Sequence, residues 1–257
     1  MNYKKIIILG FILFSSICFS QICGKIDYTF KTDLDAEFIE YYSMSFNNYK
    51  SLCLETDVKH QEDKLKEINT KNGSVTMHFS GRKNIIKQFF YNNRKDIYFK
   101  DIYEDIPLLV KENKFVWKWK LENKTKKIGS FLCNKATIKF RGRNYTAWYT
   151  LAIPVPFGPW KFKNLPGLIL EVYDTNKEFH IFSNKVRINK KNCNIVFDKN
   201  QLKKAMNLKT YLKKKDSLLD NYFAMMSAKR PKGTKPLKRD KNCEDCSKGI
   251  EIFNEKN

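Results

Sequence analysis

Histidine is scarce in this chain: of 257 residues only His60, His78 and His180, with no H-x-x-x-H or H-E-x-x-H spacing and no cysteine pair close by. A locally encoded zinc site is thereby excluded, although one assembled from distant strands is not. There is no G-x-S-x-G elbow, no cysteine with protease-like flanks and no G-x-x-x-x-G-K-[ST] loop, so serine or cysteine hydrolysis and P-loop phosphate chemistry have no signature here. Acid pairs such as Glu104-Asp105 are isolated and nominate no carboxylate couple. Nothing implies a cofactor. Arginine is also sparse, seven of 49 basic residues, in a chain whose formal charge is +22. Phosphate recognition favours the arginine fork, so the excess of lysine reads as a broadly basic, solvated surface. Nucleic acid is not the implied partner, whereas an anionic membrane surface fits as a peripheral one.

What is present begins with Lys4 and Lys5, an apolar run from Ile6 to Phe14 broken only by Gly10, and Ser15, Ser16 and Ser20 before polarity sets in at Gln21. That order is a secretory signal peptide over 1–21. The run ends at Phe19 with two serines inside it, short of the roughly 20 apolar residues a membrane span needs. Lipid attachment at Cys18 or Cys23 is disfavoured by the preceding Ile17 and Ile22. The expected locale is the periplasm, the outer membrane's surroundings or the medium. Without Cys18, six cysteines remain, Cys23, Cys53, Cys133, Cys193, Cys243 and Cys246; an exported chain permits disulfides, and their pairing stays open. Cys243 and Cys246 have redox or metal spacing but sit in a polar tail, which favours a structural disulfide over metal binding or catalysis.

From Gly24 onward, segments of strand character recur at short intervals. Gly24 to Lys31 alternates Ile26, Tyr28 and Phe30 with polar residues, the period of a half-buried strand. Further strands are predicted over 43–47, 50–55, 74–80, 85–91, 96–103, 114–122, 130–141, 143–150, 168–174 and 178–188. Turns fall at Asn47-Asn48, Asn72-Gly73, Asn92-Asn93, Asn123 to Thr125, Arg141-Gly142 and Asp174 to Lys177. Residues 58–69 read as a weak helix or loop. The fold class is mainly β (α+β), a strongly curved antiparallel meander or a sandwich, in a domain over 22–200. Leu202, Met206, Leu208, Leu212, Leu218, Leu219 and Phe223 then mark a Lys-rich amphipathic helical segment over 201–230, packed on the sheet or lying on an anionic membrane. Residues 231–257 form a basic tail without apolar periodicity, expected to be flexible.

The unusual stretch runs from Arg143 to Asp174, where four of seven prolines fall, at 154, 156, 159 and 166, beside Trp148 and Trp160. Prolines 154 and 156 cannot sit in a central strand, so the chain must leave the sheet there as a shaped loop. Pro166-Gly167 suits the centre of a type II turn, glycine taking positive φ. Asn164-Leu165-Pro166-Gly167-Leu168-Ile169 resembles the motif of the GLPGLI family of exported bacterial proteins. The likeness extends to Cys133 and Ala136, to Arg143, to Ala147-Trp148-Tyr149, to Ile153-Pro154, to Gly158-Pro159 and to Lys161-Phe162. Asn164 stands where the motif begins with glycine, which implies positive φ at that position. The resemblance implies location and fold but no mechanism, so no catalytic residue is carried over.

The sequence thus points away from an enzyme and toward a binding or accessory module of the cell envelope with an envelope protein as partner. Its candidate contact residues are Arg143, Trp148, Phe157, Gly158, Pro159, Trp160, Phe162, Leu165, Pro166 and Gly167, since a proline-braced aromatic loop loses little entropy on binding. Those aromatics can equally be core. Two other functions stay open: a hydrolase or metal-dependent enzyme built from separate strands with His78 or His180, and a curved sheet holding an apolar ligand beneath the C-terminal helix.

Overall fold

The computed structural model of the protein describes residues 22–34, 36–56, 88–103, 106–112, 115–189, 193–236 and 249–253, together with the backbone of 66–70 and 73–77. The signal segment 1–21, Glu104-Asp105, His60, His78, Cys243 and Cys246 lie outside the described residues.

The alternating segments form one sheet, not a sandwich. In chain order the strands are β1 (Cys23–Asp33), β2 (Glu37–Phe46), β3 (Ser51–Glu55), β6 (Phe89–Asn92), β7 (Ile97–Tyr103), β8 (Ile106–Glu112), β9 (Lys120–Ile128), β10 (Phe131–Phe140), β11 (Arg143–Thr150), β12 (Leu168–Asp174) and β13 (Phe179–Asn189), with the short β14 (Met206–Asn207). β4 (Lys66–Thr70) and β5 (Gly73–Met77) pair only with each other. The 12-stranded order is β14-β8-β7-β6-β3-β2-β1-β13-β12-β11-β10-β9, antiparallel throughout except where β14 meets β8. Neighbours are consecutive strands save at three places: β8 beside β14, β3 beside β6, which flank β4 and β5 in the chain, and β1 beside β13, where the first strand pairs with the last long one and joins the two halves. The Cys23–Cys193 disulfide, its Cα atoms 5.7 Å apart, fixes that seam across 170 residues. Such a bond belongs to an oxidising compartment, extracellular or periplasmic. No described helix is long and apolar enough to cross a membrane.

The predicted turns explain most hairpins. Asn47 Oδ1 accepts from the Tyr49 and Lys50 amides, at 2.9 and 3.0 Å, and Arg141 and Gly142 both take positive φ, 46° and 79°, which matches the twist of the flanking strands. Asn123 to Thr125 is not a turn. It lies inside β9, where the register against β10 slips at Asn134/Lys135, so the turn-prone residues make a bulge. Residues 115–119, expected as strand, run irregularly before β9, and β8 is an additional strand whose Pro107 falls where β14 does not reach. Register shifts also occur at Asp27/Tyr28 and Trp148/Tyr149. Bulges sharpen twist, and three of them curl the open sheet.

The concave face carries the core: Ile26 and Tyr28 from β1, Tyr42, Met44 and Phe46 from β2, Ala136, Ile138 and Phe140 from β10, and Tyr145 and Ala147 from β11 are all buried. After β13 come α1 (Lys199–Lys203) and α2 (Leu208–Ala228), the latter capped by Asn207 Oδ1, which accepts from Thr210 N at 2.8 Å. Leu208, Tyr211, Leu212 and Leu218 pack α2 against the core. Within the tail read as flexible, residues 249–253 dock on the concave face: Ile252 N donates to Arg141 O at 2.8 Å.

Candidate functional site

The loop between β11 and β12, residues 151–167, turns inward and plugs the concavity. It satisfies its own backbone: Asn164 N donates to Pro156 O at 2.9 Å, Leu168 N to Ile153 O at 2.9 Å and Ile169 N to Phe157 O at 3.1 Å. Asn164 has φ 69°, as the departure from glycine implied, and Trp160 has φ 53°. Gly167 differs from expectation, since its φ is not positive. A Cβ there would stand 2.1 Å from Thr150 O, so close packing of the two chain segments, not a left-handed turn, requires the glycine.

Of the predicted contact residues, Phe157, Gly158, Pro159, Trp160, Phe162, Leu165 and Gly167 are buried within this plug, and Pro166 is exposed. Trp160 meets Phe140 and Phe162 at ring distances of 5.9 and 5.0 Å. Arg143 is buried against Asp174 at 2.9 Å, also pairs with Glu178, and stands over the Phe179 ring. Trp148 lies on the face opposite Tyr145 and Ala147, beneath Lys126, whose Nζ is 4.5 Å from its ring centre.

Two lysines enter the interior with the loop. Lys161, 1% exposed, places Nζ 3.0 Å from Glu112, 2.6 Å from Glu251 and 3.8 Å from the centre of the Phe99 ring. Arg141 pairs with the same Glu112 and approaches Glu251 at 3.8 Å. Burial pushes the Glu251 carboxyl up, against the pull of the Lys161 ammonium. Lys163 is buried with Nζ on Arg94 O at 3.0 Å, and burial pushes its pKa down.

Above this cluster is a chamber of about 1230 Å³. Its wall mixes aromatic and polar side chains: Phe30 and Tyr42 from β1 and β2, Phe90 and Phe99 from β6 and β7, Trp160 from the loop and Phe179 from β13, with Glu40, Gln88, Lys100 and Asp101 among them. Leu208, Leu212 and Leu219 of α2 face it, Lys209, Lys213 and Lys215 rim it, and Glu251 and Phe253 close one side. Tyr211 Oη donates to Asp101 at 2.5 Å and Lys215 to the same carboxylate at 3.2 Å, which ties α2 over the opening. Cys53 also lines the chamber, and burial pushes its thiol up to about 12. Cys133 is raised to about 11 for the same reason. Thiols so protonated are not nucleophiles near neutrality.

The histidine of the enzyme reading does meet a carboxylate: His180 Nε2 lies 2.9 Å from Glu171 Oε1, and Lys126 pairs with the other oxygen. Burial raises Glu171, but His180 and Lys126 outweigh it and hold the carboxyl below its usual range. A carboxylate kept ionised suits an ion pair more than a proton donor. Neither residue lines the chamber or the second hollow of about 750 Å³ beside Lys25, Tyr41 and Arg187. Among the described residues no group of His, Cys, Asp or Glu side chains is arranged to hold a metal. A cavity beneath the C-terminal helix was one of the alternatives the sequence left open; the buried charge cluster at its floor was not, and its one local signal was a pair of lysines, 161 and 163, inside a largely apolar loop.

A family described as protein of unknown function (Porph_ging) matches residues 140–171, which span the end of β10, β11, the plug and the first half of β12. No curated protein matches the chain. Among solved structures, PNGF-II is similar in two crystal forms. In the P21 form the identity is 16% and the TM-score 0.48 over 78% of this chain, and in the C2 form 16% and 0.47 over 76%. The chain spans about a third (33%) of the length of that protein in both.

Proposed function

We propose that this is an exported cell-envelope protein of the GLPGLI type that works as a non-catalytic binding module, and that its ligand seat is the chamber between the concave sheet and α2. The observation that carries the reading is the chamber: about 1230 Å³ of space lined in part by Phe30, Tyr42, Phe90, Phe99, Trp160 and Phe179. That exceeds the few hundred Å³ a small ligand needs, and ligand pockets are characteristically apolar with a few placed polar groups. The signal-like residues 1–21 and the Cys23–Cys193 disulfide support export. The plug is then the chamber's floor, and an envelope protein partner would meet only its exposed residues, Leu151, Ala152, Pro154, Asn164 and Pro166.

The mature chain, titrated with the neutral apolar dye N-phenyl-1-naphthylamine, is expected to bind it saturably. Leu219→Asp, which puts a charge into the chamber from α2 at a position not packed on the core, is expected to abolish that binding while circular dichroism stays unchanged. Failure of the folded wild type to bind the dye removes the chamber from the function.

A further inference from the structure

Residues 249–253, Gly-Ile-Glu-Ile-Phe, form one side of the chamber without belonging to the sheet. One amide, Ile252 N, bonds to the protein backbone, at 2.8 Å from Arg141 O. Two carbonyls accept from side chains, Gly249 O from Arg143 Nε at 3.0 Å and Ile250 O from Tyr145 Oη. The deepest contact is the Glu251 carboxylate on Lys161 Nζ at 2.6 Å. We infer that this segment is a resident occupant of the chamber, and that the place it fills is a subsite for a carboxylate carried on an apolar body, built from Lys161, Arg141, Phe99 and Trp160. The inference rests on the chamber being the ligand seat.

Charge count supports a vacatable anion site. Lys161 and Arg141 are two cations that share Glu112, so with Glu251 withdrawn they face one carboxylate and the pocket is left net positive. A buried excess charge is costly and is relieved by taking up an anion. The resident carboxylate fits imperfectly: Glu251 Oε1 is buried with no hydrogen bond, and Arg141 Nε stands 3.8 Å from it. A ligand not tethered to the chain can bring both oxygens to the two cations, which the resident side chain does not. Burial raising the Glu251 pKa is consistent with that half-satisfied fit.

What flanks the carboxylate defines the rest of the ligand. Phe253 lies against the Arg141 guanidinium, 4.5 Å from ring centre to Cζ, and Ile252 covers Gly142, where a Cβ would come within 2.8 Å of it. On the chamber side the same cations open onto Phe99 and Trp160, with Lys161 Nζ 3.8 and 5.1 Å from the two ring centres. The subsite therefore suits a carboxylate beside apolar groups, supplied by a long-chain carboxylic acid or by an acidic, apolar peptide segment.

The full mature chain separates these cases. Ile252→Ala loosens the resident segment without touching a charge, so if 249–253 compete for the subsite this variant binds 11-(dansylamino)undecanoic acid about threefold or more tighter than wild type, because a larger fraction is open. Its affinity for N-phenyl-1-naphthylamine stays within about twofold, as a neutral probe gains nothing from freed cations. Adding Arg141→Gln to Ile252→Ala removes the gain. Competition by unlabelled undecanoic acid points to a free acid as the source, and competition by the blocked pentapeptide of residues 249–253 points to a peptide; either supports the subsite. Neutral dye bound with no gain for the carboxylate probe, or no competition by either compound, overturns the subsite and leaves the chamber reading standing. Binding of neither probe by any variant overturns both.

Discussion

Two segments without regular structure cross the concave face, and they are held by different forces. The plug, residues 151–167, buries Phe157, Phe162 and Leu165 completely or nearly so and bonds its own backbone into a crossed pair of arms. The docked segment 249–253 leaves Ile250, Ile252 and Phe253 partly exposed and is anchored through one carboxylate and three backbone contacts. Burial of large side chains is worth about 1.5–3 kcal/mol each, and the plug has several. An ion pair that must be desolvated contributes far less net stability. The plug is therefore part of the fold, while the docked segment is attached to it.

The largest test of this contrast is Phe162→Ala. The ring packs on Trp117, Tyr145 and Trp160, with the latter two centroids 5.0 Å away, so its loss is expected to cost about 3–5 kcal/mol in urea denaturation. A cost near that of a surface substitution would show that the plug is not core. Next is a pair of glycines. Gly167→Ala drives a Cβ to within 2.1 Å of Thr150 O and is expected to lose about 1–3 kcal/mol. Gly249→Ala meets nothing nearer than 3.9 Å and is expected to stay within about 0.5 kcal/mol of wild type. Equal costs would erase the distinction between the segments. The smallest perturbation is isotopic: in native-state hydrogen exchange the Asn164, Leu168 and Ile169 amides are expected to open only with global unfolding, and the Ile252 amide by local detachment. An Ile252 amide as protected as Leu168 would make the docked segment a permanent wall.

Most strands were legible because one face of a curved sheet is buried and the other solvated, which writes period-two alternation into the chain. The alternation of Ile26, Tyr28 and Phe30 located β1, and Arg141-Gly142 located the β10–β11 turn. Asn123 to Thr125 misled because a bulge and a turn favour the same small polar residues, and only pairing with β10 tells them apart. β8 was hidden by Pro107, whose tolerance depends on the strand lying near the edge of the sheet. At Gly167 the residue type was informative but its cause was not: a glycine demanded by a neighbour 17 residues earlier looks the same in sequence as one demanded by φ.

Of the contact residues suggested by the Pro/Gly-rich motif, the structure brings most into the interior. Trp148 is separated from them by strand alternation, because it points to the other face. The Lys161, Glu112, Glu251 and Arg141 cluster draws on positions 20 to 139 residues apart in the chain, and no local pattern announces such a set.

By itself the sequence determined the local events: where strands alternate, where prolines force the chain out of the sheet, where Asn164 adopts positive φ, and that helix follows the strands and ends before Pro231. These depend on backbone sterics and on the period of burial, which are properties of neighbouring residues. Which way the sheet curls, that Cys23 joins Cys193, that the aromatic loop turns inward, and that α2 and residues 249–253 enclose a chamber were decided by tertiary structure. Each depends on contacts between residues far apart in the chain, whose free energy exists only once the sheet has closed the distance between them.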